Sequence, residues 1–224
     1  MTRTKLRDRV LPGYTRGEEL FHMISHISGG AFAVAVLTVC VTIAAMRRNP
    51  WGVAGGAVFG ATMILLYAMS SIYHGLKRQI AKKVFQILDH CAIFFLIAGT
   101  YTPIALVRIR VVSPGMAWGL FAFIWGVAVL GIVLNAIDLH KYLVFSLICY
   151  VGLGWCIVPF SKQLLAAIPV SAFVWLIAGG VMYTLGSVLY VIGKKRKYMH
   201  SVFHVFVVAG SVMHFVCVLL CLLS

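Results

Sequence analysis

The sequence predicts an all-α integral membrane protein, a seven-transmembrane-helix bundle with its N-terminus in the cytoplasm and its C-terminus outside. Three observations point there. Of 224 residues, 62% are hydrophobic and only 11% charged, against about 45–50% apolar in an ordinary soluble domain with glycine included. Mean hydropathy is +1.01. Continuous apolar runs of roughly 18 or more residues recur along the chain, where a membrane barrel would show alternating segments of about 10 residues.

Seven spans follow in order: 19–46, 52–74, 84–107, 116–137, a shorter one at 142–160, then 170–192 and 200–223. Each is long enough for a hydrocarbon core of about 30 Å. Breakers separate them: Asn49-Pro50, Pro103, Ser113-Pro114-Gly115 and Pro169,. Pro159 marks a kink or stop near the end of the fifth span. The basic stretch before Pro12-Gly13 looks like a signal-peptide n-region. The apolar segment after it is too long for a cleaved signal, so it reads as a retained first helix. The division is a basic cytoplasmic tail, 1–17, followed by one membrane domain, 18–224.

Orientation comes from the basic residues. There are 19 Lys+Arg against 5 Asp+Glu, a formal charge of +14. Fourteen of the basic residues fall in the tail and in the second, fourth and sixth connections, and five on the other side. The positive-inside rule places the fourteen in the cytoplasm. On a soluble domain such a charge would suggest nucleic acid. In short connections between apolar runs it points instead to membrane lipids and the anionic headgroups of the cytoplasmic face, with no nucleic acid. The six cysteines lie inside apolar runs without a Cys-x-x-Cys pair, and read as small packing residues.

With the topology drawn, the titratable residues converge. His22, His26, His74, His90, His140, His200 and His204, and all five acids, fall at the cytoplasmic end. Ionisable groups within a membrane are costly and face the bundle interior with partners. His200 and His204 are spaced i, i+4, so both imidazoles lie on one helix face, and His74 could supply a third nitrogen. Three protein ligands plus water is the arrangement of catalytic zinc. Ser70 is one turn before His74 on the same face. Asp89 could orient that water or take its proton, or could instead cap the third helix. Glu18 and Glu19 suit the N-terminus of the first helix. His90, adjacent to Asp89, points about 100° away from it. His214 lies about 20 Å along the helix from His200, too far to share its metal.

These segments carry a resemblance. Glu18-Glu-Leu-Phe-His-Met-Ile-Ser-His26, Ser70-Ser-Ile-Tyr-His74, Leu88-Asp-His-Cys-Ala-Ile93 with Gly99-Thr-Tyr-Thr-Pro103, and His200-Ser-Val-Phe-His204 followed by His214 occur in order across nearly the whole chain. They resemble the progestin and adipoQ receptor superfamily, in its bacterial haemolysin III branch. The resemblance implies seven helices, zinc (Zn2+) on His74, His200 and His204, Asp89 near the metal's water, and Ser70 beside the site. It implies a role in membrane lipid homeostasis and, by name, haemolysis; eukaryotic relatives are linked to hydrolysis of ceramide or other lipid amides. His22 departs from the branch, which commonly has Asn there, and could add a ligand. The tail is far shorter than in the hormone-receptor members, so hormone sensing is not implied.

The function expected first is therefore a zinc-dependent hydrolase of membrane lipid amides or esters. A non-enzymatic regulator of membrane state with structural zinc is the alternative, and a haemolysin-like pore a third. A pore needs a polar lumen, and stretches such as 34–45 and 205–220 carry few polar groups,. A retinal protein would need a lysine inside a span, and every lysine lies in the tail, in a connection or at a span boundary,.

Overall fold

The apolar runs form helices, as their composition requires in a medium where each backbone polar group must be satisfied within its own segment. The computed structural model describes residues 4–193 and 196–224. Arg3, Lys194 and Lys195, counted above among the cytoplasmic basic residues, lie outside the described residues. The long elements are α1 (Arg16–Met46), α2 (Pro50–Gly75), α3 (Gln79–Pro103) and α4 (Pro114–Trp155), followed by a short α5 (Ser161–Ala167), then α6 (Val170–Gly193) and α7 (Met199–Leu223). Among the described residues, six helices are long and apolar enough to cross a membrane, α4 and α5 being counted as one segment.

Local sequence sets the ends. Thr15 caps α1 in a reciprocal box, its hydroxyl accepting the Glu18 N–H while the Glu18 carboxylate accepts the Thr15 N–H,. Asn49 caps α2 through the Gly52 N–H, with Pro50 at the first helical position,. Pro103 closes the regular part of α3 but does not end the helical span, contrary to its reading as a breaker. The helix widens after it into a π-helical turn, Ile104–Ile109, and closes with one more α-helical turn, Arg110–Val112. A π-turn absorbs the missing N–H by shifting the register.

α4 has 42 residues, about 63 Å if straight,, twice a hydrocarbon core. It is not straight. Asp138 has φ −157° and ψ 93°, which breaks the helix into arms 114–137 and 139–155. Ser146 donates its hydroxyl to Asn135 Oδ1 at 2.7 Å, and Asn135 Nδ2 reaches Tyr150 Oη at 3.3 Å. Residues 11 and 15 apart on one straight helix would stand about 16 and 22 Å apart, so the arms fold back on each other. The second arm is fixed to α3: Tyr150 Oη donates to the His90 carbonyl at 2.7 Å, and Tyr101 Oη lies 3.0 and 2.9 Å from the carbonyls of Leu153 and Gly154.

Two apolar clusters result. One, from α1, α2, α3 and α7, centres on Val36, Phe59, Met63 and Tyr67. The other, from α3, α4, α5, α6 and α7, centres on Phe94, Ile124, Leu164 and Leu176. All six cysteines are free thiols among these helices, packing as small apolar side chains,. α1 packs between α2 and α7, which brings the start of α1, the end of α2 and the start of α7 to one end of the bundle.

Candidate metal centre

At that end four imidazoles meet. His22 from α1, His74 from α2, and His200 and His204 from α7 each offer a ring nitrogen, and these atoms lie within 4.8 Å of one another. His22, His74 and His204 are buried, His200 partly so. The Nε2 atoms of His200 and His204 are 3.1 Å apart. Two imidazoles on one tetrahedral zinc, with Zn–N near 2.0–2.1 Å, would hold their nitrogens about 3.4 Å apart. His22 Nδ1 and His74 Nε2 have no hydrogen-bond partner among the described residues although buried. A buried polar nitrogen left unpaired is costly, so the donor set fits a divalent metal such as zinc.

The other ring nitrogens of His74, His22 and His204 are held from outside, as the ligands of a metal site usually are, while His200 Nδ1 has no hydrogen-bond partner among the described residues. His74 Nδ1 donates to Glu19 Oε2 at 2.7 Å, and Lys82 Nζ lies 2.7 Å from Glu19 Oε1. His22 Nε2 is 2.9 Å from Ser201 Oγ. His204 Nδ1 is a looser 3.5 Å from Ser25 Oγ. Sequence reasoning assigned Glu18 and Glu19 alike to the helix N-terminus. Glu18 has that role and one more, because its Oε1 accepts the N–H of Tyr198 at 2.7 Å. Tyr198 has φ 62°, a strained conformation for a bulky residue; the contact ties α1 to the residue that starts α7, two positions before His200. Glu19 instead orients His74, a pairing across 55 residues that no local pattern reveals.

Tyr14, just before α1, covers the cluster. Its ring stacks on His200 at 5.0 Å with an interplanar angle of 7° and stands edge-on to His22 at 5.0 Å. Burial, then Tyr190 and the carboxylates of Glu19, Asp89 and Glu18, raise its hydroxyl above the ordinary tyrosine range, so it remains a neutral phenol. His26 stacks on His204 at 3.8 Å.

Asp89 stands apart from the four ligands. It lies ten residues after the first residue of α3, too deep to cap the helix, which removes that alternative. Buried Ser70 is near enough to influence its carboxylate, and the His90 ring is 3.9 Å away. A cavity of about 150 Å³ connects Asp89 with the cluster. Asp89, His90, His200 and His214 are among its polar lining, and Leu66, Ile97, Ile177 and Val207 among its apolar walls. His90 thus shares the cavity with Asp89, against the expectation from the 100° step, since a cavity wall can be wider than one helix face. His214 is where its spacing put it, away from the four. It lies 3.1 Å from the Leu176 carbonyl and against Gly179, where a side chain would collide with its ring.

The fold and the site define a helical membrane protein with a candidate metal centre buried at one end of its bundle. The chain belongs to the haemolysin-III-related family, whose model matches residues 14–215. It is 35% identical over 202 residues to hemolysin-3 of Bacillus cereus, covering 90% of each chain. It is 32% identical over 206 residues to the hemolysin-3 homolog of Bacillus subtilis (strain 168), covering 92% of this chain and 95% of that one. It also matches the human monocyte to macrophage differentiation factor at 26% over 166 residues, 70% of this chain and 66% of the relative. This agrees with the membership of the progestin and adipoQ receptor superfamily that the motifs indicated.

Proposed function

We propose that this protein is a zinc-dependent hydrolase of membrane lipid amides or esters, seated in the bacterial inner membrane with seven spans. Counting the two arms of α4 separately gives the seventh span. The charge asymmetry then puts the tail, 1–17, and the histidine end in the cytoplasm and the C-terminus outside. The observation that carries the reading is that Asp89 and His200 line the same apolar cavity. That joins a potential base, a potential metal ligand and space for an acyl chain.

His74, His200 and His204, with His22 beside them, would hold the zinc. Bound there, zinc would polarise a carbonyl and lower the pKa of water from 15.7 to about 7. Glu19 and Ser201 hold the rings of His74 and His22 in orientation. Asp89 takes the proton of the attacking water and returns it to the amine or alkoxide that leaves. The Ser70 hydroxyl steadies the carboxylate for that exchange, and Tyr14 limits bulk water from the tail side.

Zinc content and fatty-acid release, measured together in detergent on ceramide, N-acyl and phospholipid substrates, test this. Asp89→Asn should retain most of the zinc and lose about 10²–10⁴-fold in turnover, the usual share of a general base. Unchanged turnover in the variant would remove Asp89 from the mechanism.

A second reading rests on His22. Four protein ligands close a zinc site, as structural sites are closed, whereas catalytic sites keep one position open. If all four imidazoles bind, the protein is a regulator of membrane state with structural zinc. Zinc retained with no turnover on any of those substrates would favour it. His22→Asn separates the two: it opens a position and should raise turnover in a hydrolase, and should only weaken zinc in a regulator.

A further inference from the structure

A second chamber, of about 450 Å³, lies between the N-terminal tail, the break in α4 and the end of α6. Its wall carries Arg9, Arg196, Lys197, His90, His140 and His200. Glu18 is the acid on that wall, and its oxygens are already engaged by the N–H of Tyr198 and by the N–H and hydroxyl of Thr15. Asp138 is close enough to feel the charge of Arg9. Its Oδ2 accepts the Thr4 N–H and its Oδ1 the N–H groups of His140 and Lys141.

Arg9 is the unusual member. It is only 6% exposed. Its Nη2 makes one long contact, 3.4 Å, to the Ile137 carbonyl. Nε and Nη1 are buried and without a partner among the described residues. A guanidinium does not deprotonate to escape burial; Asp138 supplies a nearby opposite charge, but the two unpartnered N–H groups still call for acceptor oxygens,. Its donors form a planar fork that matches two oxygens of one phosphate. Arg196 and Lys197, both exposed, line the same chamber.

The chamber adjoins the apolar cavity. His90, Leu143, Tyr190 and His200 line both. A molecule with an anionic head in one space and a chain in the other would cross the edge of the histidine cluster at His200.

We propose that this chamber is a phosphate site, built on Arg9 with Arg196 and Lys197, that holds the phosphate head of a single-chain membrane amphiphile whose chain enters the apolar cavity. The proposal deepens the hydrolase reading by giving its substrate a phosphate-bearing class. It concerns binding, so a protein without turnover leaves it intact.

Calorimetric titration of the purified protein in a neutral detergent tests it, with 1-oleoyl lysophosphatidic acid, uncharged monoolein and inorganic phosphate as probes. The phosphate lipid should bind at least about tenfold more tightly than monoolein. Arg9→Gln should erase that preference while leaving monoolein affinity unchanged, and its histidines still hold any metal, so phosphate bound to metal is common to both proteins. Because Arg9 is buried, the exposed variant Arg196→Gln is the control for folding. It should reduce the preference severalfold with an unchanged melting temperature. Equal affinity for the two lipids in the wild type overturns the proposal, as does a preference that survives both substitutions. Inorganic phosphate binding as tightly as the phosphate lipid overturns the head-group assignment and gives the chamber to a free anion.

Discussion

α2 and α4 are both glycine-rich apolar helices, yet their glycines do opposite things. On α2 the glycines are points of closest approach. A methyl group at Gly60 would sit 2.6 Å from the Leu37 Cα of α1, one at Gly55 2.7 Å from the Pro103 Cα of α3, and one at Gly56 2.9 Å from Cys40 Cβ. On α4, Gly115, Gly119, Gly126, Gly152 and Gly154 have nothing near enough to touch such a methyl, and only Gly131, against the Phe94 ring, is tight. Small residues let membrane helices approach closely where packing rather than water drives association. The comparison teaches that the part of the bundle presenting His22, His74, His200 and His204 is held rigidly, through α1, α2 and α7. The part built from α4 is looser and leaves room beside the two cavities, whereas α6 is seated closely on α7 through Gly179, Gly186 and Gly193. A metal needs its ligands placed within a fraction of an ångström; an amphiphile needs a way in.

The contrast can be broken or sharpened by experiment, beginning with the largest effect. His204→Ala removes one donor from the rigid side and leaves His200 Nε2 without its neighbour. Zinc content of the purified protein should fall from about one per chain toward zero. Full retention would show that these imidazoles do not form a metal site. Glu19→Gln keeps the shape but withdraws the carboxylate from His74, so zinc affinity should drop about 10–100-fold in a chelator competition. The same substitution at Glu18 should chiefly destabilise the start of α1 and shift zinc less, because Glu18 touches no imidazole nitrogen.

Smaller effects test the packing itself. Gly60→Ala must push α1 from α2 and should destabilise by about 1–3 kcal/mol, the usual range for overpacking, read as a lower melting temperature in detergent. Gly126→Ala meets open space on a helix and should stabilise by about 0.5–1 kcal/mol through the restricted unfolded chain. If the two changes moved stability equally, the distinction between the tight and the loose half would be lost.

Helix type, the approximate spans and the depth of the histidines were legible in the sequence, because hydropathy and the 3.6-residue period are local properties. His200 and His204 could be paired from their i, i+4 spacing, and Ser70 with His74 in the same way. Pro103 misled, since a proline consumes only its own N–H and the helix could widen around it. His22 carried a signal of its own, an imidazole four residues before His26 on a buried helix, but local spacing could not say that it faces the cluster.

By itself the sequence determined that the chain is a helical membrane protein with its titratable residues at one end, because burying a charge in hydrocarbon is costly wherever the chain puts it. The break near Asp138 was also legible there, as the gap between the fourth and fifth spans. Only the tertiary structure decided that Glu19 rather than Glu18 orients His74, that His22 joins the other three imidazoles, and that Asp89 sees them across a cavity. Those outcomes depend on which faces of distant helices meet. Helix–helix approach is set by small residues and side-chain fit between segments dozens of residues apart, and no local pattern encodes it.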